Sequence, residues 1–574
     1  MNDIRAWAPG ARNLEVVADG RRTGGGGGGG AELPPPASGA AKTPRHLLPG
    51  AGAEPVPDPM TAYQPEGVHG PSQLVDHDAF RWTDGDWRGL PLADAVIYEL
   101  HVGTFSDAGT FDGVAGKIPH LQSLGVNAIE IMPVAMFPGT RGWGYDGVDL
   151  YAPHPEYGGP EGLKRLVDAC HAAGIAVVMD VVYNHVGPDG NYLTQFGPYF
   201  TDTYKTPWGA ALNFDDRGSD GVRRFFIENA LMWLRDYHCD GLRLDAVQAI
   251  IDTSAIHFLE SVTVAVRGLE AERARAFWLI AESDLNDPRI VSPRERGGYG
   301  FDAQWSDDFH HALHAHLTGE RKGYYEDFGL LADVVTALRQ AFVFDGRYSR
   351  HRDRSHGRRP TGLAGTAFLA YIQDHDQGGN RARGERISQL VSPGLCRVAA
   401  TLVLTSPFTP MLFAGEEWGA TTPFLYFTDH DSARLGRAVT EGRRREFAAF
   451  EWPAGEVPDP QALTTFEASK LRWEELENEA HAATLKWYRE LLRLRAADPW
   501  LRDGRMDAVE LEYDEASRWL VMRRGATSVL CNFAATPTSL AVPGELLLAS
   551  EPGVRVNQGQ AQMPAESAAV LRLG

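Results

Sequence analysis

The sequence predicts an α/β fold in which a parallel-stranded barrel core carries a β module before it and an antiparallel β-domain after it. Three observations point there. Short apolar runs alternate with helix-period segments through the middle of the chain, and several of those runs end in a carboxylate, a histidine or an arginine. Beyond about residue 500 the pattern changes to short alternating strands. Repeated strand-then-helix units imply parallel strands joined by right-handed crossovers. A strand covered on both faces reads as an unbroken apolar run.

Taken in order, residues 1–90 open with Arg5-Ala6-Trp7-Ala8-Pro9-Gly10-Ala11 and the alternating Leu14-Glu15-Val16-Val17, as a β-sandwich-like module would. Between residues 21 and 53 this pattern collapses into seven consecutive glycines, Gly24 to Gly30, then Pro34-Pro35-Pro36 and Ala/Gly-rich sequence. That stretch reads as flexible low complexity and not as strands. A sandwich lacking its middle strands would expose open edges, so the module is expected to be incomplete.

The barrel is assigned to residues 91–499. Its first strands are expected at Val96–Leu100 and Ala128–Met132, with Leu163–Val167 in a following helix and Gly174 ending that helix just before Ile175. Four further apolar runs deliver Asp180/Asn184/His185, Arg243/Asp245, Glu282 and His375/Asp376 at their C-terminal ends, the face on which a barrel gathers reactive side chains. The insertion at residues 187–220, rich in Gly, Pro, Tyr and Phe, is expected to wall that face. Met411–Phe413 closes the strand series, and Leu485–Leu494 is a strongly amphipathic helix. Residues 500–574, with runs such as Trp519–Met522 and Ser528–Phe533, form the C-terminal β-domain, whose expected task is packing on the barrel.

Asp245 and Glu282 carry the chemistry. In glycoside hydrolysis one ionised carboxylate attacks or stabilises the anomeric carbon while one protonated carboxyl delivers a proton to the departing oxygen. The 37-residue interval between them (282 minus 245) suits a strand, a crossover helix and the next strand. Arg243, two residues before Asp245, is expected to hold that acid ionised, and the less compensated Glu282 to stay protonated longer.

These motifs resemble those of the α-amylase superfamily of glycoside hydrolases, in the expected order and from about Ala95 to Phe413. The resemblance implies a (β/α)8 TIM barrel with Asp245 as nucleophile, Glu282 as general acid/base and Asp376 as the carboxylate that holds sugar hydroxyls. It further implies that Tyr145, His185, Arg243, His375, Gln377, Asp307 and Asp308 contact substrate. A finer likeness, to malto-oligosyltrehalose trehalohydrolases, rests on Pro57–Ser72, Gln304–His311, Gly319–Tyr325, Phe427–His430 and Gly442–Phe447. It implies hydrolysis of the α-1,4 bond next to the terminal trehalose unit of malto-oligosyltrehalose, and functional pairing with a malto-oligosyltrehalose synthase. Two residues depart from the pattern: Asp374 stands where relatives carry Asn, and Gln248 where they carry His. The residues alone equally fit a 1,4-α-glucan branching enzyme, and a catalytically silent glucan-binding protein is the non-enzymatic alternative.

A formal charge of −21 speaks against nucleic acid and anionic membrane as partners, since both call for basic patches. The four cysteines, Cys170, Cys239, Cys396 and Cys531, lie far apart and are expected as free thiols. With no leader-like apolar segment and no dense carboxylate loop, the reading is a cytoplasmic enzyme without cofactor or metal.

Overall fold

Eight short parallel strands close into a barrel in this computed structural model. The structure describes residues 55–448 and 457–573, together with the backbone of five short strands before residue 55. The barrel strands are β1 (Ile97–Leu100), β2 (Ala128–Ile131), β3 (Ala176–Val181), β4 (Gly241–Leu244), β5 (Trp278–Ala281), β6 (Ala303–Trp305), β7 (Phe368–Ala370) and β8 (Thr409–Phe413). Each pairs in parallel with the next, and β8 pairs with β1 to close the ring. Every residue of these strands is buried, which explains their near-unbroken apolar sequence.

Side chains of a strand alternate between the barrel interior and the surrounding helices. Ile97, Ala128, Val178, Ile280, Ala303, Leu369 and Met411 form an interior cluster with Trp305 and Tyr371. Two residues further along β1, β2 and β3 stand Glu99, Glu130 and Asp180, in register Glu99 beside Glu130 and Asp180 beside Arg243 of β4. The interior is therefore apolar at its base and charged toward the C-terminal ends.

The helices pack apolar stripes against the outside of this ring. Helix α1 (Gly159–Ala172) buries Leu163, Leu166, Val167 and Cys170. It ends as the sequence predicts: Gly174 adopts φ +74°, its N–H donating to His171 O at 3.0 Å, while Ile175 N–H donates to Cys170 O at 2.9 Å. Helices α2 (Ser219–Arg235) and α3 (Phe258–Arg273) pack on one another, and α4 (Asp307–Thr318) follows β6. The apolar α5 (Pro393–Thr405) packs against α6 (Glu479–Ala497), which buries Leu485, Trp487, Tyr488, Leu491 and Leu492.

The insertion at 187–220 forms an antiparallel hairpin, Phe200–Thr206 with Gly209–Leu212. At the C-terminal end, a five-stranded antiparallel sheet runs in the order Val509–Asp514, Trp519–Arg524, Thr527–Asn532, Ser567–Arg572, Glu545–Ala549, with a second sheet of three strands. Arg524 fastens it to the barrel: its guanidinium donates to the carbonyls of Thr405, Ser406 and Leu501 at 2.7, 2.7 and 3.0 Å. All four cysteines are free. Among the described residues, no helix is long and apolar enough to cross a membrane.

The N-terminal segment differs from expectation. Leu14–Ala18 pairs antiparallel with both Arg21–Gly25 and Arg45–Leu48, and Ile4–Ala6 pairs with Ala31–Leu33. Three of these strands lie between residues 21 and 53, which the sequence reads as strandless. A ladder needs only backbone N–H and C=O groups, so the valine-bearing Leu14–Ala18 can pair with the glycine-ended Arg21–Gly25 on one edge and with Arg45–Leu48 on the other. Whether further strands complete a sandwich lies outside the described residues.

Candidate active site

The two acids at the head of the sequence argument continue their strands by one residue. Asp245 follows β4, with its N–H on Val181 O, and Glu282 follows β5, with its N–H on Leu244 O, both at 3.0 Å. The ladder thus carries both carboxylates to the same rim of the barrel. His375 and Asp376 begin a short helical turn after β7, and Asn184 and His185 follow β3.

One guanidinium joins the pair. Arg243 Nη1 donates to Asp245 Oδ1 at 3.1 Å and to Asp180 Oδ2 at 2.7 Å. Its Nη2 lies 2.9 Å from Glu282 Oε2, off the hydrogen-bond axis, so this contact is an ion pair and not a hydrogen bond. The guanidinium is fully buried and lies 4.3 Å above the Trp305 ring. Asn184 Nδ2 donates to Asp245 Oδ2 at 2.6 Å and to its backbone carbonyl at 2.8 Å.

Ala246 fixes Glu282 from the other side. Its backbone adopts φ +38°, ψ 53°, a left-handed conformation unusual for alanine, and its N–H donates to Glu282 Oε2 at 2.8 Å. Strain of this kind persists only where surrounding structure imposes it.

Burial dominates the electrostatics. It raises Glu282 above the ordinary glutamate range, opposed by Arg243 and the Ala246 N–H and reinforced by Asp245. It raises Asp245 as well, with Arg243 and the Asn184 hydrogen bond opposing. Arg243 does pull Asp245 down, but the guanidinium is shared among three carboxylates and desolvation outweighs its share, so the net shift is upward. Asp376 is likewise raised by burial, with His375 opposing.

His375 is tied to the barrel interior. Its N–H donates to Glu99 Oε2 at 3.0 Å, its Nδ1 donates to Glu99 Oε1, and its Nε2 donates to the Tyr145 hydroxyl at 2.8 Å. Tyr145 in turn donates to Asp180 Oδ2 at 2.7 Å. Burial opposes a charge on His375, but the Glu99 carboxylate prevails and lifts its pKa to about 10, so the ring is an imidazolium. His185 lies between the Asn184 side-chain oxygen and the Tyr145 carbonyl, and burial lowers its pKa. Its open face is covered by Trp208 from the turn of the insertion hairpin, rings 4.7 Å apart and 8° from parallel.

The two departures resolve differently. Asp374 is fully buried and caps the turn, accepting from Asp376 N and Gln377 N at 2.9 Å each. Burial and then Glu99 push its carboxyl well above the usual range, which favours the neutral form, the charge state an asparagine would have. The Gln377 amide, oriented to satisfy its neighbours, donates to Asp374 at 2.6 Å, so this candidate sugar ligand turns back into the turn. Gln248 leaves its side-chain oxygen buried without a partner.

Asp307 and Asp308 separate. Asp307 accepts from the Tyr371 hydroxyl at 2.6 Å and lies near enough to Glu282 and Asp376 for their charges to help burial raise its pKa to about 8. Asp308, expected to bind sugar, is committed elsewhere: its Oδ2 accepts from Asn286 Nδ2, Val343 N and Phe344 N at 2.8, 2.6 and 2.8 Å. Consecutive helical residues point about 100° apart, so only one of the two faces the rim.

Three residues outside the sequence-based set join the site. Glu99 holds His375. Asn380, one turn after Asp376, donates to Asp376 Oδ1 at 2.5 Å. Arg443 donates from Nη1 to Asn380 Oδ1 at 2.6 Å and from Nη2 to Gly379 O at 3.1 Å. A lone acid inside an apolar strand signals Glu99, and the i, i+4 spacing from Asp376 signals Asn380.

The α-amylase catalytic domain matches residues 77–206, and a domain of unknown function, DUF3459, matches residues 504–570. A malto-oligosyltrehalose trehalohydrolase of Rhizobium sp. (strain M-11) is 48% identical over 578 residues, covering 99% of this chain and 97% of its own. The 1.4 Å crystal structure of a provisionally assigned Salmonella typhimurium α-amylase superposes with a TM-score of 0.90 at 38% identity, covering 100% and 97% of the two chains. A branching enzyme of Pseudoalteromonas atlantica is 29% identical and covers 50% of this chain and 44% of its own.

Proposed function

The chain belongs to the malto-oligosyltrehalose trehalohydrolase family within the α-amylase superfamily, and on that premise we propose that it hydrolyses the α-1,4-glucosidic bond adjacent to the terminal trehalose unit of malto-oligosyltrehalose, releasing trehalose. The observation that carries this reading is the joining of Asp245 and Glu282 by one buried guanidinium at the rim of the barrel. Retaining enzymes hold their two carboxyl groups roughly 5–5.5 Å apart, whereas inverting ones leave space for a water between them. Two acids that share one arginine favour the retaining arrangement.

In this mechanism Asp245 attacks the anomeric carbon as Glu282 protonates the departing glycosidic oxygen. The covalent glycosyl intermediate is then opened by water, which Glu282, now ionised, deprotonates. Asp376, oriented by Asn380, grips sugar hydroxyls. The His375 imidazolium donates to the Tyr145 hydroxyl, keeping that ring in place as a platform for the sugar.

The greater identity and coverage of the trehalohydrolase relative favour water as acceptor over a sugar hydroxyl, the choice that would make a branching enzyme. The test is incubation with maltotriosyltrehalose and, separately, maltopentaose, with products identified by chromatography. Rapid trehalose release from the first with little action on the second is expected. Equal cleavage of both would sink the trehalose specificity, and new α-1,6 branches would move the reading to a transferase. Pairing with an enzyme that supplies the trehalose-capped substrate fits this activity.

A further inference from the structure

A second cleft lies at the opposite end of the barrel. Its volume is about 320 Å³, and Trp500, Asp503, Arg505, Glu510, Arg523 and Gly525 stand around it, between the segment after α6 and the first two strands of the C-terminal sheet. Gly365, just before β7, donates its N–H to Gly504 O at 2.6 Å, and Arg502 pairs at 3.2 Å with Asp94, just before β1. These contacts fix the cleft beside the N-terminal ends of the strands, away from Asp245 and Glu282.

Trp500 is 38% exposed, although tryptophan is among the largest apolar side chains. Gly525, at φ +56°, lets the backbone lie against this indole: a Cβ there would come within 2.1 Å of the ring. The ring is thus supported from the protein side and open at the cleft. Polar groups of both kinds flank it. Glu510 forms no hydrogen bond or ion pair with another described side chain, and it stands in register with Arg523 on the neighbouring strand. Arg523 spends one nitrogen on Glu512 at 3.0 Å, and Arg505 pairs with Asp503 through Nε and Nη2. Each guanidinium therefore keeps donors for a ligand.

We propose that this cleft is a second, non-catalytic binding site for α-glucan chains. An open indole presents a flat apolar face to the C–H face of a pyranose, a free carboxylate accepts from vicinal hydroxyls, and guanidinium donors meet hydroxyl oxygens. Asp503 and Glu510 beside the arginines disfavour an anionic ligand. A cleft of this volume sits at the lower end of the range for small-molecule sites, roughly 300–1,000 Å³, and takes one or two sugar units. The inference rests on the glucan reading of the enzyme and goes beyond it: a long chain held at the base of the barrel keeps the enzyme on its polymer while the other end turns over.

The experiment is native electrophoresis of the full-length protein through gels cast with graded soluble amylose, alongside kinetics on maltotriosyltrehalose. Trp500→Ala and, as a variant with no packing role, Glu510→Ala are each expected to bind amylose about tenfold more weakly, the loss of one stacked or bidentate contact. Their kcat/KM on the short substrate stays at the wild-type value. Retardation of both variants equal to wild type overturns the second site while leaving the catalytic reading intact. A wild-type protein that amylose does not retard also overturns it, and the trehalose assay then judges the catalytic reading on its own.

Discussion

The backbone N–H of Ala246 donates to Oε2 of Glu282 at 2.8 Å, so the residue after one catalytic candidate holds the other. That contact exists because Ala246 takes a left-handed conformation. Ala246→Val places a β-branched side chain at φ +38°, with an expected loss of about 1–3 kcal/mol in denaturant unfolding. Glycine tolerates this conformation, so Ala246→Gly stays close to wild type in stability. A valine variant of wild-type stability and turnover would show that the strained residue does not position Glu282.

Asp245→Ala is expected to lower turnover by a factor on the order of 10⁴, as removal of a nucleophile does. Azide can attack from the face the carboxylate vacates, and the product is then an inverted β-glycosyl azide. NMR of the anomeric proton reads the outcome. A retained azide product would contradict the nucleophile assignment.

Asp374→Asn should be nearly silent in kcat/KM at neutral pH, because burial and the neighbouring Glu99 charge favour the neutral carboxyl, whose charge asparagine matches. Its pKa is raised in the folded state, so its contribution is fully present below the unfolded aspartate value and is lost as pH rises. The asparagine variant therefore gains stability relative to wild type as pH increases, measured as a growing difference in Tm. A large drop in activity would mean that Asp374 acts as an anion.

His375 predicts an alkaline limit. Its pKa rises from 6.5 to about 10 on folding, so the stability it contributes is complete below pH 6.5, shrinks above that and is gone once pH passes about 10. The Tm difference between wild type and His375→Gln should shrink along that interval. A constant difference would show that the ring is neutral throughout.

Trp208→Ala uncovers one face of His185 at the cleft rim. KM for the trehalose-capped substrate is expected to rise several-fold with kcat little changed, the signature of lost binding shared by ground and transition states. A fall in kcat at constant KM would place Trp208 in the chemistry itself.

The barrel and its three acids are legible in sequence for one reason. A strand buried on both faces most readily carries a carboxylate at its end, so Asp245, Glu282 and Asp376 announce the rim, whereas Glu99, Glu130 and Asp180 stand within β1, β2 and β3. Residues that serve these acids are harder to read. Ala246 looks ordinary until its φ is known, and Arg443 reaches Asn380 across 63 residues of sequence, a proximity no local pattern encodes. Asp307 and Asp308 are indistinguishable as letters and differ only through the direction each takes from its helix.

Glu130 sits beside Glu99 in the barrel wall, fully buried, with neither oxygen bonded to another described group. Burial, and then the Glu99 charge, push its carboxyl well above the usual range, so between its unfolded and folded values the folded chain holds a proton there that the unfolded chain gives up. Folding at this position is thus an acid–base reaction with the solvent. Refolding in two buffers of different ionisation enthalpy would register that uptake as a difference in heat, and a Glu130→Gln chain would release the solvent from it.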